Sequence, residues 1–189
     1  QHLVIWTSLH PQWAGILLFL ISAVEALTLI GALIPGSLLL VAVGTLVGAG
    51  VLPFWQMALW AASGAIVGDG LSFLMGRFLK DDLKKVWPFS RNTHWLDRGT
   101  NFFEKYGRAS VFIGRFVGPL RAFIPVTAGA LRMPLLRFFV IDIISAAIWA
   151  IAYMLPGVLL GAASLQLPPD IATHYMRVVL TTLVIAVLA

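Results

Sequence analysis

Five ionisable residues lie inside long apolar stretches: Glu25, Asp69, Arg115, Arg121 and Asp142. Facing lipid at the bilayer centre, each would cost roughly 2.5–3.5 kcal/mol on insertion scales. Together they would cost on the order of ten kcal/mol or more, comparable to the stability of a whole domain. They must therefore pair, bond to backbone, or line a wet cavity. Pairing Glu25 or Asp69 with Arg115 or Arg121 would lower the cost. Arginine does not give up its proton in proteins, and its planar fork of donors matches phosphate oxygens. Arg115 and Arg121 flank Gly118-Pro119, a break that bares backbone groups. A helix starting near Pro119 would also direct N–H groups toward an anion. Glu25 reads as a switch between a charged, arginine-paired state and a protonated state that leaves the arginine to substrate. Asp69, between Gly68 and Gly70, reads as a second proton or cation carrier, or else as a cap or loop residue. Asp142 reads as structural, within reach of an interface. Static ion pairs that merely pin two halves of the chain together are the plainer alternative for the whole set.

The elements that must position these groups follow from the apolar blocks. Residues 13–34 are long enough to span a bilayer, since about 20 helical residues cross the hydrocarbon core. Pro35-Gly36 breaks that run. Residues 37–51 are apolar but short, bounded by Pro-Gly and by Gly48, Gly50 and Pro53, which predicts a re-entrant hairpin. Residues 54–76 make a second span. Residues 109–133, interrupted by Pro119 and Pro125, predict a second re-entrant element, and 135–160 a third span ending at Pro156-Gly157. A final helix from about 173 begins a fourth span. Gly31, Gly36, Gly44, Gly48 and Gly129 let helices approach closely in the broken segments. Trp6, Trp13, Trp55, Trp87, Trp95 and Trp149 fall mostly near segment ends, as an aromatic belt does. The order predicts an inverted repeat, about 13–76 and 109–160, whose discontinuous helices meet near the midplane. The fold expected is thus an all-α membrane protein of one domain, with about four spanning helices and two re-entrant hairpins.

Composition agrees. Of 189 residues, 60% are hydrophobic and 11% charged, against about 45–50% and 25% in soluble domains. There is no cysteine, and His2, His10, His94 and His174 are scattered without ligand spacing, so no metal, disulfide or cofactor is expected. Between 77 and 108 lie Arg77, Lys80, Lys84, Lys85, Arg91, Arg98, Lys105 and Arg108 against Asp81, Asp82, Asp97 and Glu104. Short basic loops stay cytoplasmic, so this one is placed inside. Residues 101–106 read as a short amphipathic surface helix or a solvated linker. The net charge of +5, gathered beside apolar segments, points to anionic headgroups and not to nucleic acid. The chain starts at Gln1 and stops within an apolar run, and both ends are read as trimmed.

Glu25 followed by Leu33-Ile34-Pro35-Gly36-Ser37-Leu38-Leu39, then Gly68-Asp69 with Ser72-Phe73 and Gly76-Arg77, then Gly114-Arg115-Phe116-Val117-Gly118-Pro119-Leu120-Arg121 with Pro125, Ala128-Gly129 and Met133, resembles the DedA (VTT-domain) family. The resemblance covers about 15–160. It implies two oppositely facing re-entrant hairpins in a multi-pass inner-membrane protein, embedded acids and two important arginines. It also implies proton-dependent transport or lipid translocation, of undecaprenyl phosphate or phospholipids, with Glu25, Arg115 and Arg121 at the functional positions. Ser37 departs from the acid many members carry after Pro-Gly, and Asp69 is the candidate replacement. The expectation is a transporter and not an enzyme: a flippase for a phosphate-headed lipid, coupled to protons, with a proton-coupled exporter of small cations or drugs as the alternative. Partners are membrane lipid, protons and, for some arrangements, a second copy of the chain.

Overall fold

Glycine and proline divide the apolar sequence into helices too close-packed to be separate layers. The structure, a computed structural model, describes residues 11–27, 36–79, 93–117 and 120–166. Among them every regular element is helical: α1 (Pro11–Ala26), α2 (Gly36–Gly48), α3 (Phe54–Leu79), α4 (Thr93–Tyr106), α5 (Ala109–Gly114), α6 (Leu120–Ala130) and α7 (Leu135–Ser164). The expected final helix and the second part of the first span lie outside the described residues. At 1.5 Å per residue, α3 and α7 are about 39 and 45 Å long and exceed the roughly 30 Å hydrocarbon core; both are apolar enough to cross it. By the same measure α2 is about 20 Å long, and α5 and α6 are shorter.

The burial pattern is that of a protein solvated by lipid. Leu59, Leu136 and Leu159 are the outward residues, 69%, 77% and 69% exposed, whereas Asp69 and Asp142 are 3% and 1% exposed. Apolar side chains outside and charges inside reverse the arrangement a water-soluble chain adopts. Without a hydrophobic drive between helices in lipid, contact depends on backbones approaching through small residues. The structure uses this at three seams. On α2 and α7, a Cβ at Gly44, Gly48, Gly157 or Gly161 would strike a backbone carbonyl of the facing helix. On α3 and α6, Gly76 meets Val126 and Gly129 meets Phe73 in the same way. On α1 and α3, Gly64 meets the Phe19 carbonyl and Gly68 that of Ala23. The first short helix therefore packs on the second long one, and α6 on the first long one.

Three expectations need correction. Pro125 does not interrupt its segment, and α6 runs through it. Pro156-Gly157 does not end the last described span, and α7 continues to Ser164. A proline removes one backbone bond and crowds the preceding turn, but here both lie where a glycine seam clamps the helix to a neighbour, which holds the turn in place. The surface helix expected at 101–106 begins at Thr93, because Gly99 presses against the Thr127 side chain of α6 and anchors the earlier turns.

Substituting Gly157→Val should lower stability by about 1–3 kcal/mol or more, as over-packing does, because its Cβ meets the Val41 carbonyl. Leu155→Ala, on the outward face of α7, should stay within about 0.5 kcal/mol. Thermal melting of both variants in detergent checks this, and equal losses would contradict the seam.

Candidate functional site

The glycines beside Asp69 explain how a carboxylate comes to lie inside the bundle. A Cβ at Gly68 would strike the Ala23 carbonyl and lie 2.7 Å from the Ala26 Cβ, while one at Gly70 would lie 3.1 Å from the Phe139 ring. Missing side chains on both sides of Asp69 thus let α1 and α7 close on α3 at the level of the acid. The Ser72 hydroxyl donates to the Ala26 carbonyl at 3.3 Å, fixing the end of α1 and with it Glu25.

Three acids from three helices meet two arginines. Arg115, at the end of α5, donates through Nη2 to Asp69 Oδ2 and to Asp142 Oδ1. Arg121, in the first turn of α6, donates through Nη1 to Glu25 Oε1 at 2.7 Å. Asp142 and Trp149 stand two turns apart on α7 and so share a face. Ser145 lies between them, its hydroxyl donating to the Asp142 carbonyl at 3.0 Å. The Trp149 ring centroid is 4.3 Å from Arg121 Cζ and 6.0 Å from Arg115 Cζ. At these distances the ring face attracts a cation, more so when desolvated. Trp149 itself is fully buried.

The cluster is incompletely matched. Three carboxylates against two guanidinium groups give a formal charge of −3 + 2 = −1. Among the described residues, Arg115 Nη1, Arg121 Nε and Nη2, Asp142 Oδ2 and Trp149 Nε1 are buried without a hydrogen-bond partner. Buried polar atoms are otherwise satisfied almost everywhere in proteins, so these five atoms set the cluster apart from the rest of the described interior. No group of three His, Cys, Asp or Glu able to hold a metal occurs among the described residues.

The VTT domain family matches residues 34–159, from the end of the first apolar run to the second half of α7. The chain belongs to that family, the DedA type of membrane protein. This VTT-domain chain is 34% identical over 164 residues to the inner membrane protein YabI of Escherichia coli K12, covering 86% of the chain and 63% of YabI. It is 31% identical over 169 residues to an uncharacterized membrane protein of Buchnera aphidicola from Schizaphis graminum, covering 89% and 66%. It is 30% identical over 159 residues to the inner membrane protein YqjA of E. coli K12, covering 82% and 72%. The chain therefore spans somewhat under two thirds of YabI and of the Buchnera relative. No solved structure matches it. It is an inner-membrane protein by its relatives and by its two long apolar helices.

The VTT-domain structure brings Glu25, Asp69, Arg115, Arg121 and Asp142 together: Arg115–Asp69 and Arg121–Glu25 join the two parts of the chain, and Arg115–Asp142 lies within the second. Pro35, Gly118 and Pro119 lie outside the described residues. Gly36 and Ser37 open α2, and Pro125 and Gly129 belong to α6. Asp142 is enclosed and bonded to Arg115. One placement differs from expectation. Trp149 is no belt residue but the floor beneath both guanidinium groups. Its seven-residue spacing from Asp142 is the signal that sequence reasoning could have used. Trp13 and Trp55, by contrast, are exposed as a belt requires.

Arg115→Met should destabilise the protein by about 3–5 kcal/mol, the penalty for leaving buried charges unpaired. Replacing all three partners by apolar residues (Asp69→Leu, Arg115→Met, Asp142→Leu) should recover most of that loss. Equilibrium unfolding in mixed micelles compares the two variants; a triple variant no more stable than the single one would contradict the pairing.

Proposed function

We propose that the chain translocates a phosphate-headed lipid, such as undecaprenyl phosphate or a phospholipid, across the inner membrane, with proton transfer coupled to the movement. The observation that carries this reading is the set of unpartnered guanidinium nitrogens, Arg115 Nη1 and Arg121 Nε and Nη2. Arginine retains its charge in any environment the cluster samples, and its fork matches phosphate oxygens. A cation exporter would need carboxylate oxygens open to its cargo, and among the unpartnered atoms of the cluster there is one such oxygen, Asp142 Oδ2, against three guanidinium nitrogens.

Charge conservation supplies the coupling. A headgroup oxyanion that takes the place of the Glu25 carboxylate on Arg121 would deprive that acid of its guanidinium partner inside the protein while it is still charged, a costly change. A proton on Glu25 removes the penalty. Anion uptake and proton uptake therefore go together, and release of the anion returns Glu25 to Arg121. The short α2 and the α5–α6 pair act in this reading as oppositely facing re-entrant hairpins of an inverted repeat. The reciprocal packing of α2 on α7 and of α6 on α3 supports that arrangement.

Reconstitution into vesicles carrying a fluorescent phosphate-headed lipid tests the proposal. Arg121→Ala should bring flipping near the protein-free rate. Arg121→Lys should lose about tenfold or more, since a point charge replaces a fork and a charged hydrogen bond is worth about 1.5–3 kcal/mol. Glu25→Gln should flatten the pH dependence and slow turnover. Wild-type rates in Arg121→Ala would refute lipid handling by the cluster, and full-rate, pH-independent flipping in Glu25→Gln would refute the coupling.

A further inference from the structure

Outside the charge cluster, one cavity has the chemistry of a binding site. It measures about 540 Å³, within the range of roughly 300–1,000 Å³ typical of ligand pockets. One side is a single face of α4, bearing Arg98, Asn101, Phe102, Lys105 and Tyr106. These positions follow the i, i+3, i+4, i+7, i+8 spacing that places residues on one stripe of a helix. The opposite side is apolar, formed by Val117 and Leu120. The acids of α4, Asp97 and Glu104, do not line it. The Phe102 and Tyr106 rings lie 4.6 Å apart, and Lys105 Nζ stands 5.3 Å from the centre of the Tyr106 ring.

This composition is that of the bilayer interface in miniature: cations and aromatic rings at headgroup level, with an apolar wall for the first carbons of a chain. Gly99, on the other side of α4, holds the helix against Thr127 of α6, so the face is fixed and not a frayed end. The walls also connect to the buried cluster through the chain. Val117 lies two residues after Arg115, and Leu120 immediately precedes Arg121.

We propose that this cavity is a second, peripheral site for an anionic lipid headgroup, taken from the leaflet that borders α4 and held by Lys105 and Arg98 while its chain lies along Val117 and Leu120. The occupant is a lipid and not free phosphate, because half the lining is apolar or aromatic and would gain nothing from an inorganic ion. The site would load the arginine cluster. Its occupancy does not depend on translocation, however, so it stands or falls separately from the function proposed above.

Photo-crosslinking of the full chain in nanodiscs, with a lipid phosphate carrying a diazirine near its headgroup, tests the proposal. Peptide mapping should place the label on residues 98–106. The Arg98→Gln/Lys105→Gln double variant should lose about tenfold of that labelling, the effect of removing a charged contact. Lys105→Gln alone provides a milder variant should the double one fold poorly, and it should also label less. Lys105→Arg should retain the label, as should Arg121→Ala. Undiminished labelling in the glutamine variants would overturn the site. Loss of labelling in Arg121→Ala would assign the occupant to the buried cluster instead. Competition by inorganic phosphate at the potency of unlabelled lipid would overturn the choice of a lipid.

Discussion

The arrangement depends on Arg115 lying between Asp69 and Asp142. In lipid a lone arginine or carboxylate has no water to turn to, so each must find its opposite inside the protein. Arg115 satisfies an acid from each of the two long helices at once, which fixes α3 against α7 and positions the end of α5. The second pair, Arg121 with Glu25, joins α6 to α1. Charge thus determines which helices meet. Glycine determines how closely they meet, because Gly68 and Gly70 clear the space beside Asp69 that α1 and α7 fill. A leucine at either position would separate the acids from the arginines without touching a charge.

The same interior carries both stability and chemistry, and the two requirements conflict. A fully matched ion cluster would be a static pin. This one has one acid more than it has arginines, several donors without acceptors, and an indole floor that tolerates cations without neutralising them. Trp149 gives the guanidinium groups an electrostatic partner that carries no charge of its own. An acid in its place would add a fourth carboxylate to the cluster. An aliphatic side chain would leave the cations less supported. This imbalance sets the cluster apart from a fully matched structural salt bridge.

Much of this was legible in the sequence, for physical reasons. Charged residues inside apolar runs stand out because lipid penalises them, and this alone singles out Glu25, Asp69, Arg115, Arg121 and Asp142 as groups that must pair, bond to backbone or line a wet cavity. The long helices α3 and α7 were legible from apolar length. What was not legible depended on packing. The partner of Asp142 is set by tertiary packing, which brings the end of α5 and its Arg115 to this acid. Trp149 groups with the belt tryptophans, although it lies in the middle of α7, because a tryptophan has the same sequence signature whether it faces lipid or the core. Pro125 and Pro156 read as breaks because proline weakens an isolated helix, yet the glycine seams hold both turns. Thr93 as the start of α4 was hidden because its anchor, Gly99 against Thr127, joins residues far apart in sequence.

The most direct measurement is solid-state NMR dipolar recoupling between ¹⁵N-labelled arginine guanidinium groups and ¹³C-labelled aspartate carboxylates, with the protein in native-like bilayers. The account predicts strong couplings from Arg115 to two carboxylates, assigned by their separate loss in Asp69→Asn and Asp142→Asn. Absence of any arginine–aspartate coupling in the membrane, with the fold intact by its backbone spectrum, would contradict the account.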